Sequence, residues 1–414
     1  MRDTDLYARI LGVERPWQVT DVELRLEAGE VEVKVEYAKS GSTSCPECAM
    51  EAARYDSRVR RWRHLPTCQY KTILAAEVPR VRCPQHGVKT LAVPWSEPGS
   101  GFTALFEALV IDWLREASIQ AVARQLDLTW DEVDGVMQRA VRRGLARRRL
   151  EVPRRLGVDE TSFQKRHEYV TVVADVGRGV VQHVADGRGK EALAAYYDRF
   201  TEEELGRIES VAMDMWGSYI AATLAALPNA ESKIAFDKFH VAMHLGTAVD
   251  RVRREENRVL REQGDGTLAG TRHLWLYHPD RLPEKAAVRF DQLVTKALKT
   301  SRAWMLKELA MEMWEQRDRQ AARRIFDAWY AWAIRSRLAP IKHVARMIKR
   351  HLEGVLNAIL AAVTNARLEG INTMIQGLKR SARGFRNRNR FRNAIYFHLG
   401  GLDLYPAAVT HSHS

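Results

Sequence analysis

The sequence predicts an α/β domain that is interrupted by an all-α insertion and preceded by two smaller modules, one strand-rich and one helical. Three observations predict it. Residues 156–240 alternate Val-rich runs with helical runs, the pattern of strands layered with helices. From about residue 244 to residue 360 the chain keeps a helical pattern rich in Trp, Arg and Ala. Up to about residue 95, short β-like runs alternate with turn signals, as in "VELRLEAGEVEVKVEYA".

Composition narrows the class. The chain has 414 residues, 46% of them hydrophobic, which suits two or three globular domains and excludes a disordered chain. Its formal net charge of +13 favours a polyanionic partner: DNA, RNA or an anionic membrane surface. No apolar run approaches bilayer-spanning length, and "MRDTDLYARILGVERP" is no signal peptide. The expectation is a cytoplasmic protein working on nucleic acid. Four cysteines are too few for a disulfide scaffold in a chain this long.

Residues 1–96 form the strand-rich module, with "YKTILAAEVPRVRC" as a further strand. "CPEC" supplies Cys45 and Cys48, and "CPQHG" supplies Cys83 and His86. Two such pairs offer four N/S ligands, the set that tetrahedral zinc takes. The alternative is two surface turns with free thiols. Cys68 stands alone and reads as packing.

After the break at "EPGSG", residues 97–150 read as a helix-turn-helix. Ala121, Val122 and Leu126 mark one apolar face, and Val133, Val136 and Met137 the next. Thr129 can cap the second helix with Glu132 closing a capping box. Arg139, Arg142, Arg143, Arg147, Arg148 and Arg149 suit phosphate contacts. Asp131, Glu132 and Asp134 make the second helix acidic at its start, which argues against base readout there. The alternative is a helical hairpin within a bundle.

The α/β part, residues 151–243, starts with "RLGVDETSF", placing Asp159 at a strand end. "EYVTVVADVGRGVVQHVADG" reads as a hairpin and "KEALAAYYDRF" as a helix. "IESVAMDMW" is a buried strand with Asp214 at its end. "GSYIAATLAALPNA" is a helix closed by Pro228 and Asn229, and "ESKIAFDKFHV" is another strand. The helical insertion spans 244–360. Residues 361–402 return as a final helix with Glu369 and a basic tail, including Lys379, Arg380, Arg383, Arg386 and Arg388. The terminal "HSHS" reads as a disordered tail.

Asp159, Asp214 and Glu369 form an ordered set. Phosphoryl transfer with two metal ions needs carboxylates that converge from separate elements. Singly, each would be an ordinary solvated acid.

The motifs "CPEC…CPQHG", "LGVDE", "AMDMWGSYIAATLAALPNAESKIAFDKFHV" and "TNARLEGINTMIQGLKRSARGFRN" resemble those of ISL-three family transposases of bacterial insertion sequences. The resemblance runs from about Cys45 to Leu402. It implies an RNase H-like catalytic domain of the DDE type, with Asp159, Asp214 and Glu369 as its acids holding two magnesium ions, or manganese. It implies cutting at the element ends and attack of the freed 3′ hydroxyl on target DNA. The zinc module and helix-turn-helix would recognise the terminal inverted repeats. Partners would be double-stranded DNA, of element ends and target, and a second copy in a homodimer or larger synaptic complex at the bacterial nucleoid. The competing class is a non-enzymatic DNA-binding regulator derived from a transposase. A junction nuclease is a weaker rival.

Several neighbours are assigned lesser roles. Glu160 points away from Asp159 if the strand continues. Asp237 competes with Asp214, but its position at a helix start reads as a cap. "DKFH", Asp237 to His240, resembles a D-x-x-H signature found after the second acid in related groups, so His240 is a candidate active-site neighbour. His244 lies one turn on. Asn365 and Asn372 flank Glu369 and can orient it or touch DNA. Trp275 is a candidate for stacking on a flipped base, against a core role shared by Trp304, Trp314, Trp329 and Trp332. Tyr219 is the residue to check for covalent chemistry.

Overall fold

A computed structural model describes residues 2–38, 41, 43–164, 168–236, 238–277, 280, 282–296, 298–360 and 366–407. The chain divides into two compact units, residues 1–149 with 381–414 and residues 150–380.

The first unit opens with α1 (Asp3–Ile10) and five strands: β1 (Trp17–Arg25), β2 (Glu30–Tyr37), β3 (Ala53–Thr67), β4 (Tyr70–Cys83) and β5 (Gly87–Thr90). The sheet order is β1-β2-β4-β3, with β5 also pairing β4. Alternation buries Val31, Val33 and Val35 of β2 against Leu74, Ala76 and Val78 of β4. Trp95 closes this core, edge-on to Trp17 at 4.9 Å and to Trp62 at 5.6 Å.

Three helices follow: α2 (Ala104–Glu116), α3 (Ile119–Leu126) and α4 (Trp130–Arg147). The capping box forms as expected. Thr129 Oγ1 accepts from the Glu132 amide, and the Glu132 carboxylate accepts from the Thr129 amide at 2.7 Å. Val122, Val133, Val136 and Met137 are buried between α3 and α4.

The second unit has a five-stranded sheet of β6 (Arg155–Gln164), β7 (Glu168–Asp175), β8 (Val180–Asp186), β9 (Ser210–Met213) and β10 (Ile234–Phe236), in the order β10-β9-β6-β7-β8. β6, β7 and β8 run antiparallel, while β9 and β10 run parallel to β6. The hairpin over 168–186 is present, turning through Gly179 at φ +72°. Helices α5 (Lys190–Tyr197), α6 (Glu202–Gly206), α7 (Gly217–Ala226) and α8 (Ala230–Lys233) link the strands.

Beyond the sheet come α9 (Lys238–Glu262), α10 (Arg272–Leu276), α11 (Glu284–Val294), α12 (Lys299–Met311), α13 (Arg319–Arg335), α14 (Ala339–Arg350) and α15 (Leu352–Leu360), then α16 (Ala366–Ser381). One continuous core joins sheet to helices, from Leu156 and Met213 through Val249 and Trp275 to Trp329 and Leu356. This corrects the expectation for Trp275. Its indole is fully buried, edge-on to Phe290 at 5.4 Å with its N–H on Thr271 Oγ1 at 3.3 Å, so it has no face to offer a base. Trp329 is equally buried, whereas Trp332 is exposed.

The last helix, α17 (Arg388–Leu399), belongs to the first unit and packs on α4. Arg383, Arg386 and Arg388 therefore fall in that unit. No helix among the described residues is long and apolar enough to cross a membrane.

Candidate active site and metal centre

The knuckle is held by the turns on either side of β3 and β4. Cys45 Sγ lies 3.7 Å from His86 Nδ1, Cys48 Sγ lies 3.7 Å from Cys83 Sγ, and Cys83 Sγ lies 3.6 Å from His86 Nδ1. A tetrahedron with Zn–S bonds of about 2.3 Å and a Zn–N bond of about 2.0 Å has edges of roughly 3.5–3.8 Å. The four residues fit zinc, with Nδ1 as the histidine ligand. His86 Nε2 faces the Glu47 carboxylate at 3.7 Å, which fixes the ring from behind. Burial alone would raise the Cys83 thiol, but the amides of His86 and Gln85 and the His86 ring bring it down to about 6, toward the thiolate a metal needs. Cys68 is exposed and stands apart.

The acidic site is built by register. β6 pairs β9 in parallel through Gly157 opposite Ala212. Two residues further along each strand come Asp159 and Asp214, so the pairing carries the two carboxylates to neighbouring positions where β9 ends. Asp159 is thus not at the end of its own strand, as expected from sequence, but in the middle of β6. Gly157 lets α16 approach: a Cβ there would lie 2.9 Å from Leu368 Cδ1. Leu368 sets its neighbour Glu369 over the same cavity.

That cavity, about 330 Å³, is lined by Asp159, Asp214, Glu369, His240, Asn372 and Phe239 among others. Asp159 and Asp214 are each aimed by donors. Asp159 accepts from the Glu160 amide at 2.7 Å on one oxygen and from Asn372 Nδ2 on the other. Asp214 accepts from the Met215 amide at 2.6 Å and faces His240 Nδ1 at 3.6 Å. Farther along α16, Gln376 bonds Thr161 Oγ1 at 2.9 Å and Lys379 bonds the Ser162 carbonyl. The helix is thereby clamped along β6 on the face that carries Glu369. Burial raises the Asp159 carboxyl above its ordinary range, and the charge of Asp214 adds to this against the pull of the Glu160 amide, His240 and Asn372. Asn372 Oδ1 and His240 Nδ1 are buried and have no hydrogen-bond partner among the described residues. Clustered acids and unsatisfied buried lone pairs fit a hard cation. Asp237 and Asn365 lie outside the described residues.

Tyr219 cannot act as a nucleophile where it stands. Its side chain is fully buried, its hydroxyl shares a proton with Thr171 Oγ1 at 2.8 Å, and burial pushes its pKa up.

The arginines of α4 divide in a way the sequence did not show. Arg143 is buried, bonded to Glu97 at 2.6 Å, to Glu107 at 3.0 Å and to the Leu404 carbonyl. It is structural, which corrects its expected phosphate role. Arg139 bonds Glu107 at 2.7 Å, and Arg147 bonds Asp403 at 2.8 Å. The acids of this helix have their own partner, Arg390, at 2.9 Å from Asp131 and 3.0 Å from Asp134. Arg142 is exposed; Arg148 lies over the Tyr396 ring at 5.8 Å. In the second unit Arg380 is exposed.

Sequence reading missed Arg188. Its guanidinium lies 4.4 Å from the Tyr169 ring and 4.5 Å from the Trp216 ring, with Glu160 at 3.8 Å. Strand alternation puts Glu160 on the face opposite Asp159, where Arg188 approaches it, while burial and the charges of Asp159 and Asp214 raise its carboxyl above the ordinary range. The only local signal was "DMW", two residues beyond Asp214.

Three family models match the chain. Residues 156–395 match a model described as a transposase, residues 91–141 the helix-turn-helix domain of transposase family ISL3, and residues 41–86 the zinc-finger of IS204/IS1001/IS1096/IS1165 transposases. The chain is 28% identical over 419 residues to the transposase for insertion sequence element IS1557 of Mycobacterium tuberculosis, covering 94% of this chain and 93% of that protein. It is 29% identical over 353 residues to the transposase for IS1001 of Bordetella parapertussis, covering 84% of this chain and 86% of that one.

Proposed function

From the premise that this chain belongs to the ISL3 family of transposases, an enzyme family acting on DNA, we propose that Asp159, Asp214 and Glu369 cut DNA at the ends of an insertion sequence and join each freed 3′ hydroxyl to target DNA. The observation that carries this is the parallel register of β6 and β9, which sets Asp159 beside Asp214 on the cavity that Glu369 also lines.

The sheet order β10-β9-β6-β7-β8, three antiparallel strands continued by two parallel ones, supports an RNase H-like fold. The helices over residues 244–360 then read as an all-α insertion between the second acid and the third. Residues 1–96 are the zinc-binding module and residues 97–150 the helix-turn-helix. Residues 151–243 and 361–380 supply the two parts of the catalytic domain; the basic tail and last helix over 381–402, expected with it, fall in the first unit.

Asp159, Asp214 and Glu369 would hold the cations. Magnesium or manganese, bound as a pair, would activate the attacking oxygen and stabilise the leaving one in an in-line displacement. Asn372 and the Glu160 amide fix both oxygens of Asp159, and the Met215 amide fixes Asp214, with His240 facing it at 3.6 Å. Preset carboxylates need no reorganisation when the phosphate arrives. Two ends must be joined together, so the working form is a homodimer or larger synapse. The zinc module and helix-turn-helix hold the terminal repeats.

The test is to incubate the full chain with DNA carrying both element ends in magnesium. The proposal expects nicks at the ends and strand joining to a second DNA. A regulator would bind the ends and leave them intact, and a structure-specific nuclease would cut without needing the repeats.

A further inference from the structure

Three basic residues of α4 are engaged by acids inside the first unit: Arg139 by Glu107, Arg143 by Glu97 and Glu107, and Arg147 by Asp403. Those three are committed within the unit, and β3 carries further exposed basic charge. Every residue from Ala53 to Arg61 is exposed. Among the described residues β3 is an edge strand, paired within its sheet with β4 alone. Register sets Arg58 opposite Val78 and Arg60 opposite Ala76, so both arginines project from one face at the rim of the core. Arg60 lies 5.3 Å from the Trp62 ring. Tyr55, 49% exposed, carries Arg82 at 4.5 Å from its ring. The one acid in the stretch, Asp56, is bonded to Arg80. Charge on an edge strand keeps it from pairing with other chains, but that need does not call for an exposed tyrosine packed against guanidinium.

We propose that β3, with Arg82 of the neighbouring β4, is a DNA-backbone-binding edge, on which Arg58, Arg60 and Arg82 take phosphates of double-stranded DNA while Tyr55 packs on the sugar rim. The proposal rests on the reading that this chain holds the ends of an element, and it names the surface that does so. The exposed stretch is about 30 Å long at roughly 3.3 Å per residue, close to one turn of duplex at about 34 Å. Guanidinium suits bidentate pairing with phosphate oxygens. Phosphate contacts set position without reading sequence, so β3 must act alike on all duplexes.

The experiment measures binding of the full chain by fluorescence anisotropy across a salt series. It uses two duplexes of equal length, one with the terminal inverted repeat and one unrelated. The Arg58→Ala/Arg60→Ala variant should bind both roughly tenfold more weakly near physiological salt. Its slope of log affinity against log salt should shrink by about 2, the loss of two phosphate contacts. Arg58→Lys/Arg60→Lys should keep the slope, and zinc content should be unchanged in both variants. Wild-type affinity and slope in the alanine variant would overturn the proposal. So would a loss confined to the repeat with the slope intact. A wild type that shows no preference for the repeat would sink the end-binding reading instead, and the unrelated duplex would still decide β3.

Discussion

In the knuckle, Cys45, Cys48, Cys83 and His86 bring their ligand atoms within 4.8 Å of one another. Asp159, Asp214 and Glu369 reach a cavity of about 330 Å³ from three separate elements. The knuckle's ligands come from two turns tied to one sheet, where a single register between β3, β4 and β5 is enough to close the set. The acids must be brought together across 210 residues of chain, and like charges without cations hold each other apart. A closed soft-ligand set belongs to a site that stabilises a fold. An open oxygen-ligand set leaves room for water and phosphate oxygens. The difference separates a closed site suited to holding a fold from an open one suited to chemistry.

The largest effect should come from breaking the closed site. Cys83→Ser, or zinc removal by a strong chelator, should unfold the strand-rich module and abolish DNA binding, since zinc binding of about 10–16 kcal/mol is folding free energy in such modules. Circular dichroism and zinc analysis check this. Removing magnesium with a mild chelator should instead stop cutting reversibly and leave the thermal midpoint nearly unchanged.

Acid should separate the sites next. In the metal-free cluster the Cys83 thiol is brought down to about 6, so protons begin to weaken zinc affinity at that thiol only below this value, and bound zinc should be lost at lower pH still. Burial holds a proton on Asp159 above the usual carboxylate range, and the protonated form does not bind a cation. Manganese affinity, followed by electron paramagnetic resonance, should therefore weaken as pH falls through a range higher than that of an exposed aspartate.

The smallest effect is on stability. A carboxyl whose pKa is raised on folding favours the fold while protonated and costs stability once pH rises through its folded value. At neutral pH the ionised Asp159 is therefore a burden on the metal-free fold. Asp159→Asn removes it, and calorimetry without metal should show a midpoint a few degrees higher, as expected for about 0.5–2 kcal/mol. A lower midpoint would mean that Asp159 is an ordinary stabilising residue.

How much of this was legible in the sequence depended on range. The knuckle, the capping box of Thr129 with Glu132 and the hairpin of β7 and β8 are local, and spacing alone reveals them. Asp159, Asp214 and Glu369 were legible as an ordered set of acids, but their common cavity needs the β6–β9 register and the approach of α16 at Gly157. Asn372 was read as a partner of Glu369, yet it bonds Asp159, 213 residues away. Arg143 looked like a phosphate ligand because Glu97, Glu107 and the Leu404 carbonyl are distant in sequence. Trp275 looked loop-borne because only the packing with Phe290 shows it to be core. The arginines of β3 were overlooked because, in an alternating strand, a charged face reads as ordinary solvent contact.

The central claim, that the open acidic site does the chemistry, is tested most directly by magnesium-dependent cleavage of end-bearing DNA with four variants measured beside wild type. Asp159→Asn, Asp214→Asn and Glu369→Gln should each lower the cutting rate on the order of a thousandfold or more, about 4 kcal/mol of barrier, while end binding persists. Glu160→Gln, which alters the neighbouring acid that faces Arg188, should cut within a few-fold of wild type. Wild-type cutting by any of the first three, or loss of cutting confined to Glu160→Gln, would contradict the account.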